Sequence, residues 1–226
     1  MPDIVARGNE QMGVRACTVC HHPRGKGRPE NAGVAGLPVG YFIQAMAQFK
    51  DGTRRSADPR KLNSKEMTAM ANTLTDDEVR AAAEYYVSMA WTPRGMVMET
   101  ETVPAFEIKG GMYLPVEGGV TEPLGNRIIE MPDDPEEAEY LRDPKTQWIA
   151  YAPVGSIAKG EALVTTGTAT AGDGTAIPGR TLQCGICHGE DLNGVGNTPG
   201  IAGRSPRATW SGSSMTYSRA RESARS

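Results

Sequence analysis

Two strings in this chain, Cys17-Thr18-Val19-Cys20-His21 and Cys184-Gly185-Ile186-Cys187-His188, each place two thiols three positions apart with an imidazole directly after. Together they use all 4 cysteines and two of the 3 histidines. Thiols at this spacing add across the vinyl groups of a porphyrin, and the adjacent imidazole then serves as an axial iron ligand; Cys-x-x-Cys-His is the attachment signature of c-type haem (heme c). The residues therefore read as two covalent haem sites: Cys17 and Cys20 with His21, and Cys184 and Cys187 with His188. The same four thiolates could instead surround one structural zinc, which leaves both neighbouring histidines without a role. Thiol–disulfide exchange is disfavoured because no βαβ pattern surrounds either pair. With no acid–base pair, nucleophile or substrate pocket visible, the pattern points to an electron carrier and not an enzyme.

The elements that must hold these sites are helical. The chain has 226 residues, enough for two small domains, and its hydrophobic content of 38% is low. A bound haem would supply apolar bulk that side chains otherwise provide. A net charge of −3 offers no basic face for nucleic acid, and no apolar run is long enough to cross a bilayer. The start, Met1-Pro2-Asp3-Ile4-Val5, has no basic leader and no apolar stretch. Covalent attachment follows export, so the expectation is a periplasmic protein whose leader lies upstream or has been removed.

Residues 1–91 read as one haem domain. A helix is expected from about Ile4 to Ala16, delivering the first motif, followed by a Gly/Pro-rich loop from Pro23 to Pro38. Tyr41 to Lys50 carries Phe42, Met46 and Phe49 on one helical stripe and stops at Asp51-Gly52. Thr75-Asp76-Asp77-Glu78 is a capping box, and Val79, Ala82, Ala83, Tyr86 and Val87 form the apolar stripe of the helix behind it. Residues 92–156 read as a long Pro/Gly-rich connector with short β segments at Val103 to Ile108, Met112 to Val116, Arg127 to Met131 and Trp148 to Tyr151. Its acidic stretch, Asp133 to Glu137, reads as solvated linker. From 157 to 206 the pattern of short helix, loop, Cys-x-x-Cys-His and Gly-rich loop returns.

In these motifs the chain resembles the class I cytochrome c family, in its tandem two-haem (dihaem) subgroup. The resemblance implies a mainly α fold of two cytochrome c-like haem domains, the second incomplete. It implies single-electron transfer between periplasmic redox partners, such as a dehydrogenase and a terminal oxidase. It also implies a methionine as sixth ligand in the first domain. Met67, in Lys65-Glu66-Met67-Thr68-Ala69-Met70, is similar to the family's ligand loop; Met70 is the runner-up, and Met46 belongs to the helix stripe. A thioether favours ferrous iron and raises the potential relative to a second imidazole. The family's proximal histidine gives its other ring N–H to a loop carbonyl, a slot filled here by Pro199 for His188 and by the neighbourhood of Ala32 for His21. His22 directly follows His21, cannot reach the same iron face, and is expected on the surface near the haem edge.

The second domain departs from the pattern. Fewer residues follow His188 than separate His21 from Met67, and after Pro206 the composition turns to Arg, Ser and Ala. Residues 207–226 read as an anomalous basic tail. Permissible codons for Arg207 to Ser218, read two nucleotides along, can encode the aromatic helix the family has there, so a frameshift is one expectation. Met215 is a poorly placed candidate for the second iron. An open second haem would suit a cytochrome subunit of a haem-containing oxidoreductase.

Overall fold

A computed structural model describes residues 1–28, 30–56, 62–93, 95–170, 175–177 and 181–202. Pro206, Met215 and the tail 207–226 lie outside the described residues, as does part of the loop from Thr166 to Gly179. The chain divides into two compact units, made for the most part of residues 1–93 and 95–202.

The first unit contains α1 (Asp3–Ala6), α2 (Cys17–His21), α3 (Val39–Lys50), α4 (Asn63–Thr73) and α5 (Asp76–Val87). The expected first helix is cut to one turn. Gly8 and Gly13 adopt φ of +74° and +69°, and an Asn9–Val14 bridge folds the chain back between them. A Cβ at Gly8 would stand 2.2 Å from the Val14 carbonyl oxygen, so only glycine permits this reversal. The first haem motif is then a single helical turn of its own.

Helix α3 covers the expected aromatic segment and stops at Asp51, with Gly52 at φ +78°. Met46 is buried in the core, and Phe42 and Phe49 pack beside it. Helix α5 begins with the expected capping box: Thr75 Oγ1 accepts from Glu78 N at 3.3 Å, and Glu78 Oε2 accepts from Thr75 N at 2.9 Å. Val79, Ala82, Ala83 and Tyr86 are buried, whereas Val87 is 40% exposed. Val87 rotates off the stripe as the helix ends. Thr75→Ala is expected to cost about 1 kcal/mol, read from the denaturant midpoint. The bonds from Thr75 hold the Glu78 carboxyl below its usual range. A depressed folded value means the contribution is full above the ordinary carboxylate range and is lost as pH falls through the folded value. Alanine keeps the backbone N–H that makes the larger of these bonds, so the gap between the Thr75→Ala and parent midpoints should narrow only in part in acid.

Residues 63–73, expected as a methionine-bearing loop, form helix α4. Its N-terminal half carries Met67, and Leu74, in extended conformation, separates it from α5. Asn63, Ser64, Lys65, Glu66, Ala69 and Ala71 break no helical rule, which is why the segment closes its own backbone bonds.

The second unit begins with residues expected as a connector with short β segments; all four expected segments fall on strands, and with two further strands they build a packed β structure. It contains β1 (Gly95–Glu99), β2 (Thr102–Pro104), β3 (Phe106–Lys109), β4 (Met112–Pro115), β5 (Thr121–Pro123), β6 (Ile129–Pro132) and β7 (Trp148–Ala152). Strand β7 is central, parallel to β1 and antiparallel to β6; β2 pairs with β5 and β3 with β4. Val103, Tyr113, Leu124, Ile129 and Met131 form its core, with Phe106 edge-on to Tyr113 at 4.6 Å. The acidic stretch is solvated as expected, with Asp133 to Glu136 exposed, but it is locally ordered. Asp134 Oδ1 accepts from the backbone N–H groups of Glu136 and Glu137 at 2.8 and 3.0 Å. It thereby starts the single turn from Glu137 to Leu141. Beyond lie α6 (Ser156–Thr166), β8 (Ala169–Thr170), β9 (Ala176–Ile177), α7 (Gly185–His188), β10 (Gly194–Val195) and β11 (Thr198–Pro199). Among the described residues, no helix is long and apolar enough to cross a membrane.

Candidate haem sites

Each Cys-x-x-Cys-His string coils into one helical turn, so both thiols and the imidazole leave a short arc of backbone. His21 Nδ1 lies 2.7 Å from the Ala32 carbonyl oxygen, and His188 Nδ1 lies 2.7 Å from that of Pro199. A carbonyl only accepts, so each Nδ1 carries the proton and donates. In a neutral imidazole so oriented, Nε2 is the nitrogen left free for a metal. Both partners are the residues expected from the sequence.

The likeness extends through the loop. Gly25 N and Leu192 N donate to the carbonyls of His22 and Gly189, both at 3.0 Å. Val34 and Ala35 donate to Gly25 O, as Ile201 and Ala202 donate to Leu192 O. A miniature antiparallel turn pairs Arg28 with Asn31 in one unit and Val195 with Thr198 in the other. The two sites are one loop design built twice, from Cys17 to Ala35 and from Cys184 to Ala202.

Sequence reasoning missed the glycines that make room for these carbonyls. A Cβ at Gly27 would stand 2.4 Å from Ala32 O; one at Gly194 would stand 2.6 Å from both Thr198 O and Gly200 N. Their identical spacing after His21 and His188 was the available signal. Gly194→Ala is expected to destabilise the second unit by roughly 1–3 kcal/mol. Gly196→Ala shares a positive φ but meets nothing within 4 Å, so the difference between their denaturant midpoints isolates the clash.

His22 is not the surface residue expected; it is 9% exposed. It also sits at φ 62°, ψ 157°, where the second unit has Gly189 at φ 85°, ψ 157°. This region of backbone space belongs almost wholly to glycine. The second unit reverses the arrangement, placing Leu192 at φ 59° where the first has Gly25 at φ 65°.

The surroundings of the first site fit a haem. Cys17, Tyr41, Phe42, Ile43, Phe49, Met67, Met70, Tyr85 and Met89 pack against the buried core yet remain only partly buried. Apolar side chains bordering a core without being enclosed by it are what a large flat apolar group would cover. Met67 and Cys17 border the same cluster. Burial pushes the Cys17 thiol up to about 11. That is opposite to the acidified thiolate of a redox-exchange cysteine. Burial, partly opposed by the Ala32 hydrogen bond, lowers His21 and keeps its imidazole neutral.

At the second site, α7 is tied to α6 by Cys184 N donating to Val164 O at 3.1 Å. Leu182, Ile186 and Val195 are 68%, 65% and 62% exposed, so apolar groups stand open around His188. Among the described residues, no group of three or more His, Cys, Asp or Glu side chains is arranged to hold a metal ion.

Residues 5–90 match the family model of cytochrome c. That match bears on the first unit alone, where it supports haem and iron binding and electron transport. The thiosulfate dehydrogenase electron acceptor of Stutzerimonas stutzeri (strain A1501) is 30% identical over 93 residues, 41% of each chain. Its counterpart in Thiomonas intermedia (strain K12) is 31% identical over 91 residues, 40% of each. The matched segment thus spans about two-fifths of these relatives. Among solved structures, thiosulfate dehydrogenase from Marichromatium purpuratum, in its "as isolated" form, superposes with a TM-score of 0.51 at 22% identity. That superposition covers 91% of this chain and 30% of the other, and it shows likeness of fold.

Proposed function

We propose that the chain is a dihaem c-type cytochrome that accepts and passes single electrons between periplasmic redox partners. The carrying observation is the doubled site, in which two Cys-x-x-Cys-His turns each present an imidazole fixed by a carbonyl at 2.7 Å. Cys17 and Cys20 hold the first haem covalently, with His21 and Met67 on its iron. Cys184 and Cys187 hold the second, with His188 on its iron. When bound, each haem supplies an iron that gains or loses one electron without other chemistry. The protein's part is to fix ligand identity, exclude water and limit reorganisation. The Ala32 and Pro199 carbonyls lock the ring orientation of the two histidines and increase their basicity. The Met67 thioether favours the reduced iron. Phe42, Tyr86 and Met46 supply an apolar wall that lowers the local dielectric.

The electron donor fits a thiosulfate dehydrogenase, the partner in the names of the curated relatives. Rapid mixing with that enzyme tests the assignment. Reduction of the haem bands should require both thiosulfate and the dehydrogenase. Bands that stay oxidised in that mixture, yet reduce with dithionite, would refute the partner.

A further inference from the structure

Helix α4 carries Met67, and side chains join its start to the proximal-histidine loop through a chain of polar contacts. Asn63, at the start of α4, donates from Nδ2 to Asn31 Oδ1 at 3.0 Å. Asn31 Nδ2 donates to Glu30 Oε1 at 3.1 Å. The same carboxylate oxygen meets Arg28 Nε at 3.3 Å, and the Arg28 and Glu30 side chains are only 6% and 2% exposed. The backbones of Arg28 and Asn31 exchange N–H···O bonds at 2.8 and 2.9 Å, closing the turn whose next residue is Ala32, the acceptor for His21. One contiguous set of bonds thus runs from the carbonyl that orients His21 to the helix that bears Met67. A second tether, Arg15 to Glu66 at 3.2 Å, lies in solvent with both side chains at least half exposed.

We infer that the Arg28–Glu30–Asn31–Asn63 network is a clasp that sets how tightly Met67 is held toward the first iron, with Asn31 and Asn63 as positioning residues. This rests on the reading of Met67 as the sixth ligand. The magnitudes favour the part-buried tether anchored on the buried Arg28–Glu30 pair. A hydrogen bond to a group sharing a buried ion pair resists loss, because breaking it leaves desolvated polar atoms behind. An exposed ion pair is worth little and is screened by salt. The network joins segments far apart in sequence, so its loss frees α4 without unfolding either end.

The test uses the full exported holoprotein and titrates the reduced form with carbon monoxide, which competes with the methionine sulfur. Met67→Ala defines the amplitude of a first-haem phase. Asn31→Ala and Asn63→Ala should each raise carbon monoxide affinity in that phase by roughly two- to tenfold. The double variant should do no more than the larger single one, because both act through one contact. Asn63→Ser, too short to reach Asn31 but well suited to a helix start, should behave like Asn63→Ala. Glu66→Gln should change the affinity by less than about twofold. If Met67→Ala opens a phase while the asparagine variants leave its affinity at the parent value, or if the double variant simply adds the two effects, the clasp is overturned. If Met67→Ala opens no phase, the ligand assignment itself falls, and the clasp with it.

Discussion

Replacing Cys17 and Cys20 together with serine should leave the exported protein with one haem and a first unit that no longer holds its native packing. Nine apolar side chains of that unit, from Cys17 to Met89, border the core while only partly buried. Full burial of one large apolar side chain contributes about 1.5–3 kcal/mol, and the net stability of a domain is only about 5–15 kcal/mol. Removing the group that covers several of them takes away an amount comparable to the whole margin. The α3, α4 and α5 amides should lose hydrogen-exchange protection, while the second unit keeps its haem and its β7-centred core. A variant with two haems, or with full protection over α3 to α5, would contradict the role given to this site.

Met67→Ala should have the second largest effect, and a different signature. The covalent thioethers and His21 remain, so haem content and helix protection should hold near the parent. What changes is the iron's preference between oxidation states. The first-haem midpoint should fall by on the order of 0.1 V, a fraction of the roughly 0.8 V that axial ligands command. Potentiometric titration with absorbance detection reads this directly. Met70→Ala is the control: a shift there, with none at Met67, would transfer the ligand role to the runner-up.

The chemistry-bearing residues were legible because they are contiguous. Cys17 to His21 and Cys184 to His188 need no tertiary information to be read, and the carbonyl partners Ala32 and Pro199 followed from their place in the loop. The capping box of α5 was equally local. What escaped depends on contacts or on backbone choices that composition does not reveal. The expected first helix ran too long because the Asn9–Val14 bridge makes Gly8 and Gly13 reversal points. The four β segments expected within 92–156 were legible one by one, but the packed unit they build was not. Its core joins Val103, Tyr113, Leu124, Ile129 and Met131 across some thirty positions, a pairing no local window contains. Helix α4 was read as loop because the family pattern was carried over in place of the propensities of Asn63 to Thr73. His22 was placed at the surface because it directly follows His21 and cannot reach the same iron face; its burial is imposed by the turn that follows His21.

The claim on which the rest stands is that both cysteine pairs carry haem. Intact-mass spectrometry of the exported, purified chain under denaturing conditions tests it most directly. The account predicts the mass of the polypeptide plus two haems, with the added mass found on the peptides containing Cys17 and Cys20 and those containing Cys184 and Cys187. A mass equal to the polypeptide alone, or to the polypeptide plus a single haem, would contradict it.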